Sequence, residues 1–158
     1  MKRVAIGLVF LTLLVQEVSA EDRRGWFYLF AGAGRGSGDG SPSVVQGGAG
    51  GEFLLKSGFG LGGEFNHTTS ARRTGGFSAA AVNASYHFGG REAGRKLVPF
   101  VTGGGFFMLG GRDAGADIGG GIQYWWTDRM ALRVEFRTHI LSSDVPYIHM
   151  VRFGIALR

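Results

Sequence analysis

From Leu132 to Ile140 the chain alternates without a break: Leu132, Val134, Phe136, Thr138 and Ile140 interleave with Arg133, Glu135, Arg137 and His139. A period of two belongs to a strand whose two faces meet different surroundings. The last segment repeats it, with Val151, Phe153, Ile155 and Leu157 on one face and Arg152, Gly154 and Ala156 on the other. Turn-forming clusters divide the chain into eight segments of about ten residues, which predict strands over 25–34, 44–55, 59–68, 75–88, 97–109, 116–126, 131–141 and 147–157. The connections "RGSGDGSPS", "TSARRT", "GGRDAG" and "SSDVP" are polar, "KSG" and "TDR" are tight, and "GGREAGRK" is longer and basic. An even number of strands of this length, each weakly alternating, predicts an all-β fold, an eight-stranded antiparallel up-and-down transmembrane β-barrel.

Composition sharpens this picture. Thirty of the 158 residues are glycine, roughly three times the usual share, which disfavours long helices. The glycines follow no three-residue period and are interleaved with aromatic and aliphatic residues, unlike collagen or a flexible linker. Lys2 and Arg3, the run "AIGLVFLTLLV" and "VSA" form the charge, apolar core and small-residue order of a cleavable signal peptide. The expected division is 1–20 signal peptide and 21–158 barrel domain. Later apolar runs are all interrupted by Gly, Arg, Asp or Glu, so none could span a membrane as a helix. There is no cysteine, hence no disulfide framework and no thiol chemistry. The formal charge of +5 becomes +4 once Lys2, Arg3 and Glu17 leave with the leader. The arginines form no basic stripe, so a nucleic-acid partner is not expected.

Aromatic residues gather where strands meet the turns assigned to the periplasmic end: Trp26, Phe27 and Tyr28, then Tyr86 and Phe88, then Tyr124, Trp125 and Trp126. Rings with a polar tip suit a membrane interface, and a belt is expected there.

Antiparallel pairing turns the alternation into a register. A turn about Asp128 sets Gln123 opposite Arg133, Gly121 opposite Glu135, Gly119 opposite Arg137 and Asp117 opposite His139. A turn about Ser57 sets Glu52 opposite Gly62, Glu64 opposite Gly50 and Asn66 opposite Gly48. An open, wet sheet has no need of glycines across from long charged side chains. A barrel of eight strands does, because its interior is only wide enough for side chains to fill. The charged face is therefore read as the lumen, holding Glu52, Glu64, Asp117 and Glu135 against Arg133, Arg137 and Arg152, with His139 near the top as partner of Asp117. Strands two and three lie across the barrel from strands six and seven, so ion pairs are expected between Glu52 or Glu64 and Arg133 or Arg137. Such a network would close the lumen, since unpaired charge there costs several kcal/mol.

The leader, "GWFYLFAGAG", "LVPFVTGGGFF", "GGGIQYWWTDRMALRVEFRTHI" and "YIHMVRFGIALR" together resemble the small outer-membrane β-barrel family, similar to the transmembrane domain of outer membrane protein A. The resemblance spans the mature chain and implies a cell outer membrane location in a Gram-negative-type bacterium, a monomer, insertion by the barrel-insertion machinery, and contact with outer-membrane lipid and lipopolysaccharide. Family members commonly end on an aromatic residue, whereas this chain ends Leu157–Arg158, and a following peptidoglycan-binding domain is not implied.

Some relatives are enzymes, and "RTHILSSD" invites comparison with lipid A deacylases, in which a serine follows a histidine by two residues on one strand face. Here that position is Leu141, Ser142 and Ser143 fall in the loop, and His139 shares its face with the lumen charges. The reading is a structural or surface-interaction protein without catalysis, with a deacylase-like enzyme or a narrow pore as alternatives. His67, His87 and His149 form no ligand set, so neither metal nor other cofactor is expected. The runs "GAGRGSG" and "GGAGGEF" lack the strand-to-helix context of a phosphate loop. Arg35, Arg72, Arg73 and Arg112 fall at the outer rim, where arginine can pair with lipopolysaccharide phosphates.

Overall fold

The computed structural model describes residues 25–37, 41–55, 58–70, 75–89, 95–111, 113–141 and 147–158. The expected leader lies outside these residues, as do Arg72, Arg73, Arg112, Ser142 and Ser143. Eight strands follow in chain order: β1 (Gly25–Gly36), β2 (Ser43–Leu54), β3 (Phe59–Ser70), β4 (Gly76–His87), β5 (Leu97–Leu109), β6 (Ala114–Trp125), β7 (Met130–Leu141) and β8 (Tyr147–Leu157). Each pairs antiparallel with the next, and β8 closes on β1. Among the described residues no helix is long and apolar enough to cross a membrane, and strands are the elements that could do so.

The strands run further than the hydrophobic alternation alone indicates. β1 continues to Gly36 and β3 to Ser70, because the ladder extends through Arg35↔Ser43 and Val44↔Ser70 into polar sequence. Backbone hydrogen bonds do not need apolar side chains, so pairing outlasts the pattern.

The register fixes the shape of the barrel. From Ala31, the row of paired residues passes one way through Gly47, His67 and Ser78 to Leu109 of β5. The other way it passes through Phe153, Val134 and Ile122 to Pro99 of the same strand, ten residues from Leu109. That stagger tilts the strands by about 40° to the barrel axis, within the usual 35–45°. The lower end carries Gly25, Leu157 and the turns after β2, β4 and β6; the upper end carries the other connections.

Burial alternates along every strand. The outward side chains are large and apolar, with Phe27 72% and Phe153 62% exposed. A continuous band of this kind, with the polar side chains enclosed, inverts the ordinary soluble arrangement. Inside, glycine is required where backbones or rings come close. A side chain at Gly121 would strike the Val134 carbonyl and the Phe100 ring, and one at Gly50 would strike the Tyr28 ring. Opposite Glu64, the room left by Gly50 is thus filled by an aromatic ring from β1, a neighbour that the β2–β3 register alone does not reveal.

The expected aromatic belt is divided between the two faces. Phe27, Phe88, Tyr124 and Trp126 point outward, but Trp26, Tyr28 and Trp125 are buried in the barrel. The reason is strand parity, since adjacent residues must point to opposite faces and a run of three aromatics cannot all face outward. Trp26 and Trp125 meet edge to face with centroids 5.9 Å apart, and with Leu54, Val98, Ala131 and Ala156 they plug the lower lumen. Val44, Ile148 and Met150, backed by Phe77 and Leu141, form a second apolar cluster higher in the barrel, and Ala79, Ala81 and Phe106 form a third.

Candidate functional site

Between the apolar clusters lies a layer of buried charge, built from inward positions of β2, β3, β6, β7 and β8. Arg133 Nη1 is 3.3 Å from Glu52 Oε2, and its Nε is 3.3 Å from Glu135 Oε2. Arg137 reaches Glu135 Oε1 through Nη2 at 2.5 Å and Glu64 Oε2 through Nη1 at 3.4 Å. Arg152 Nη2 donates to the same Glu64 oxygen at 2.7 Å. Two of the arginines also lie against ring faces: the Arg133 guanidinium is 3.9 Å from the Phe100 centroid, and that of Arg152 is 3.5 Å from the Phe30 centroid. Such stacking suits a guanidinium, which is weakly hydrated on its flat faces.

Glu52, Glu64, Asp117, Glu135, Arg133, Arg137, Arg152 and His139 all point inward and are buried. They are not all joined. Asp117 and His139 are register partners, yet Asp117 lies 3.5 Å from Arg137 Nη1 while its oxygens accept no hydrogen bond. His139 instead approaches the Gln46 amide nitrogen at 3.5 Å and meets the Phe106 ring edge to face. The expected Asp117–His139 partnership is replaced because long side chains in a narrow lumen reach across it, and the nearest group in register need not be the nearest in space.

The site also contains residues outside the lumen set expected from the alternation. His87 Nε2 lies 2.7 Å from Glu52 Oε1, and Ser85 donates to that same oxygen. The Tyr28 hydroxyl donates to Glu64 at 3.2 Å. The Gln46 amide nitrogen donates to Asn66 at 3.1 Å and Thr68 at 2.9 Å. A signal was present, since Asn83, Ser85 and His87 stand at every second position of β4. Alanines stand on both faces of the strand, with Ala79 and Ala81 inward and Ala84 outward, so β4 shows no apolar–polar contrast along most of its length.

Little space remains within this layer. A cavity bordered by Tyr28, Glu52, Asn83, Thr102 and Arg133 measures about 10 Å³, roughly the room for one water molecule. Among the described residues, no group of three His, Asp or Glu side chains is placed to hold a metal ion.

On the outer surface Arg35 is exposed near the top of β1, beside His149 of β8 and Ser43 of β2 in register. Two histidine–hydroxyl pairs stand on this upper outer face: His67 Nδ1 lies 3.0 Å from Ser78 Oγ, and His149 Nδ1 lies 3.0 Å from Thr138 Oγ1. The first has the elements of a nucleophile and base, but among the described residues its register neighbours are Gly47 and Ser78, neither of them a carboxylate that would orient the ring. The second repeats the geometry with a threonine, as expected of polar pairs where a strand leaves an apolar layer.

No family model matches this sequence, and no curated protein matches it. Solved structures do match. Neisserial surface protein A aligns with a TM-score of 0.70 and 12% identity, over 84% of this chain and 96% of that one. The attachment invasion locus protein of Yersinia pestis aligns at 0.54 and 13%, over 84% and 96%. The outer membrane protein OprG from Pseudomonas aeruginosa aligns at 0.55 and 10%, over 85% and 96%. At such identities the likeness defines the architecture: this chain has the fold of the small eight-stranded outer-membrane β-barrels. The similarity to outer membrane protein A is a looser one, held at the level of eight strands.

Proposed function

We propose that this chain is an exported outer-membrane barrel, monomeric and without catalytic activity, whose sealed lumen stabilises a scaffold that presents its upper rim to the cell surface. The observation that carries this reading is the inverted distribution of polarity, with an apolar band outside and a charged layer between apolar clusters inside. Backbone groups in hydrocarbon must be satisfied internally, and a closed barrel does so without an edge. Export by the leader at residues 1–20 and folding by the barrel-insertion machinery accord with this, and they orient the lower end towards the periplasm.

At the rim, Arg35 is the described member of the four arginines proposed to pair with lipopolysaccharide phosphates; Arg72, Arg73 and Arg112 are its proposed companions. Guanidinium and phosphate match in geometry and charge. Closure is attributed to the Glu52–Arg133 and Glu64–Arg137–Arg152 contacts together with the apolar clusters.

Fractionation tests the location: the protein is expected in the outer membrane, with faster gel mobility unheated than boiled. Planar-bilayer recording tests closure, and steady conductance by the purified barrel would refute it. Mass spectrometry of lipid A from cells with and without the gene tests the absence of catalysis. Loss of an acyl group that depends on this chain would overturn that part of the reading.

A further inference from the structure

An apolar groove of about 700 Å³ opens on the outer surface at the seam where β8 closes on β1. Phe27 and Leu29 of β1, Leu132 of β7 and Ile155 of β8 line it. Tyr28 and Phe30 border it too, although their side chains point into the barrel, so the backbone of β1 forms part of its floor. The volume falls within the range of about 300–1,000 Å³ typical of small-ligand sites. From Phe27 to Ala31 the groove follows β1 for roughly 13 Å at about 3.3 Å per residue, about half of an apolar band of roughly 25 Å.

The lower end of the groove is polar and fixed. Its last apolar row is Met130, Leu157 and Phe27, paired in register. One residue further, the Arg158 amide donates to the Arg129 carbonyl at 3.0 Å, tying the chain end to the β6–β7 turn. Thr127 Oγ1 accepts from the amides of Arg129 and Met130 at 3.3 and 3.0 Å, which holds that turn. Asp128 and Arg129, both exposed, immediately precede Met130, which lines the lower end of the groove.

We propose that this groove retains one glycerophospholipid with an amine-bearing zwitterionic headgroup. An acyl chain lies along the β8–β1 seam, the phosphate meets Arg129 and the amine meets Asp128. The neighbouring Arg158 guanidinium is held over the Trp125 ring, 3.6 Å from its centroid, so the adjacent Arg129 and Asp128 complement such a headgroup charge for charge, whereas a purely anionic headgroup would meet repulsion at Asp128. The assignment to the periplasmic leaflet rests on the orientation proposed above. The groove occupies the first half of β1 and the last half of β8, far from the Arg35 rim where lipopolysaccharide would sit.

Native mass spectrometry of the barrel extracted from membranes in mild detergent tests this, together with rebinding from vesicles of phosphatidylethanolamine or phosphatidylglycerol. One phosphatidylethanolamine per barrel is expected to be retained. Ala31→Phe and Ala49→Phe fill the groove while keeping an apolar outer face, and either should reduce occupancy at least tenfold. Arg129→Gln should weaken retention several-fold, and Asp128→Asn should abolish the preference over phosphatidylglycerol. Retention unaffected by the filling variants, equal binding of the two lipids, or no retained lipid would each overturn the site. Heat-modifiable gel mobility, measured on the same samples, separates the two readings. A barrel that shifts on boiling but holds no lipid refutes the lipid site alone, while a chain recovered from the soluble fraction refutes the membrane reading as well.

Discussion

Arg152 and Glu64 stand 88 residues apart in the chain and meet inside the barrel, with Arg152 Nη2 2.7 Å from Glu64 Oε2. The same oxygen receives Arg137 at 3.4 Å and the Tyr28 hydroxyl at 3.2 Å, so one carboxylate joins β1, β3, β7 and β8. Whichever group is removed from this junction, its partners remain buried.

Glu64→Ala should therefore destabilise the barrel by about 3–5 kcal/mol, the cost of leaving a buried partner charge uncompensated. Asp117→Asn should cost much less, because among the described residues the Asp117 oxygens accept no hydrogen bond and its one ion-pair contact is at 3.5 Å. Urea unfolding in vesicles, followed by tryptophan fluorescence, measures both. Equal effects would show that Asp117 is held as firmly as Glu64.

His87 meets a second glutamate of the charged layer, Glu52. His87→Leu removes the 2.7 Å contact with Glu52 but leaves Ser85 and Arg133 in place. Its expected cost is about 1.5–3 kcal/mol, that of one hydrogen bond to a charged group. The double variant with Ser85→Ala should exceed the sum of the single effects, since both groups serve the same Glu52 oxygen; simple additivity would argue against a shared role.

The glycines inside and outside the barrel should respond differently. Gly121→Val places a side chain against the Val134 carbonyl and the Phe100 ring and should cost about 1–3 kcal/mol through overpacking. Gly47→Ala points outward, where the nearest atom is 3.9 Å away, and should be nearly neutral. The urea midpoints decide this, and a severe effect at Gly47 would place the lipid face and the lumen the wrong way round.

The outer face offers a direct test of its surroundings. Phe136 is exposed near the middle of β7, and Phe136→Arg should cost about 2–4 kcal/mol if that position lies at the bilayer midplane. The same change on a wet surface would be harmless, so the free energy of insertion into vesicles distinguishes lipid from water.

Much of the architecture was legible in the chain because it depends on local quantities. Strand parity in β7 and β8 separates Val134 and Phe136 from Glu135 and Arg137, and the tight turns at "KSG" and "TDR" determine which glycine faces which charge: Gly121 opposite Glu135, and Gly62 opposite Glu52. Parity also held information that the aromatic pattern obscured. Trp26, Tyr28 and Trp125 stand near the lower ends of their strands, but on the inward side.

What the sequence by itself determined is thus the number of strands, the two faces of β7 and β8 and the register across short turns, all of which follow from backbone periodicity and turn length. Only the tertiary structure decided which side chains meet across the lumen. That depends on closure with a ten-residue stagger, which carries β1 and β4 to heights that no single hairpin specifies. Hence Tyr28 reaches Glu64, His87 reaches Glu52, and His139 turns to Gln46 rather than to Asp117. In a space only a few side chains wide, the length and reach of each group select its partner, and those distances exist only once the eighth strand has joined the first.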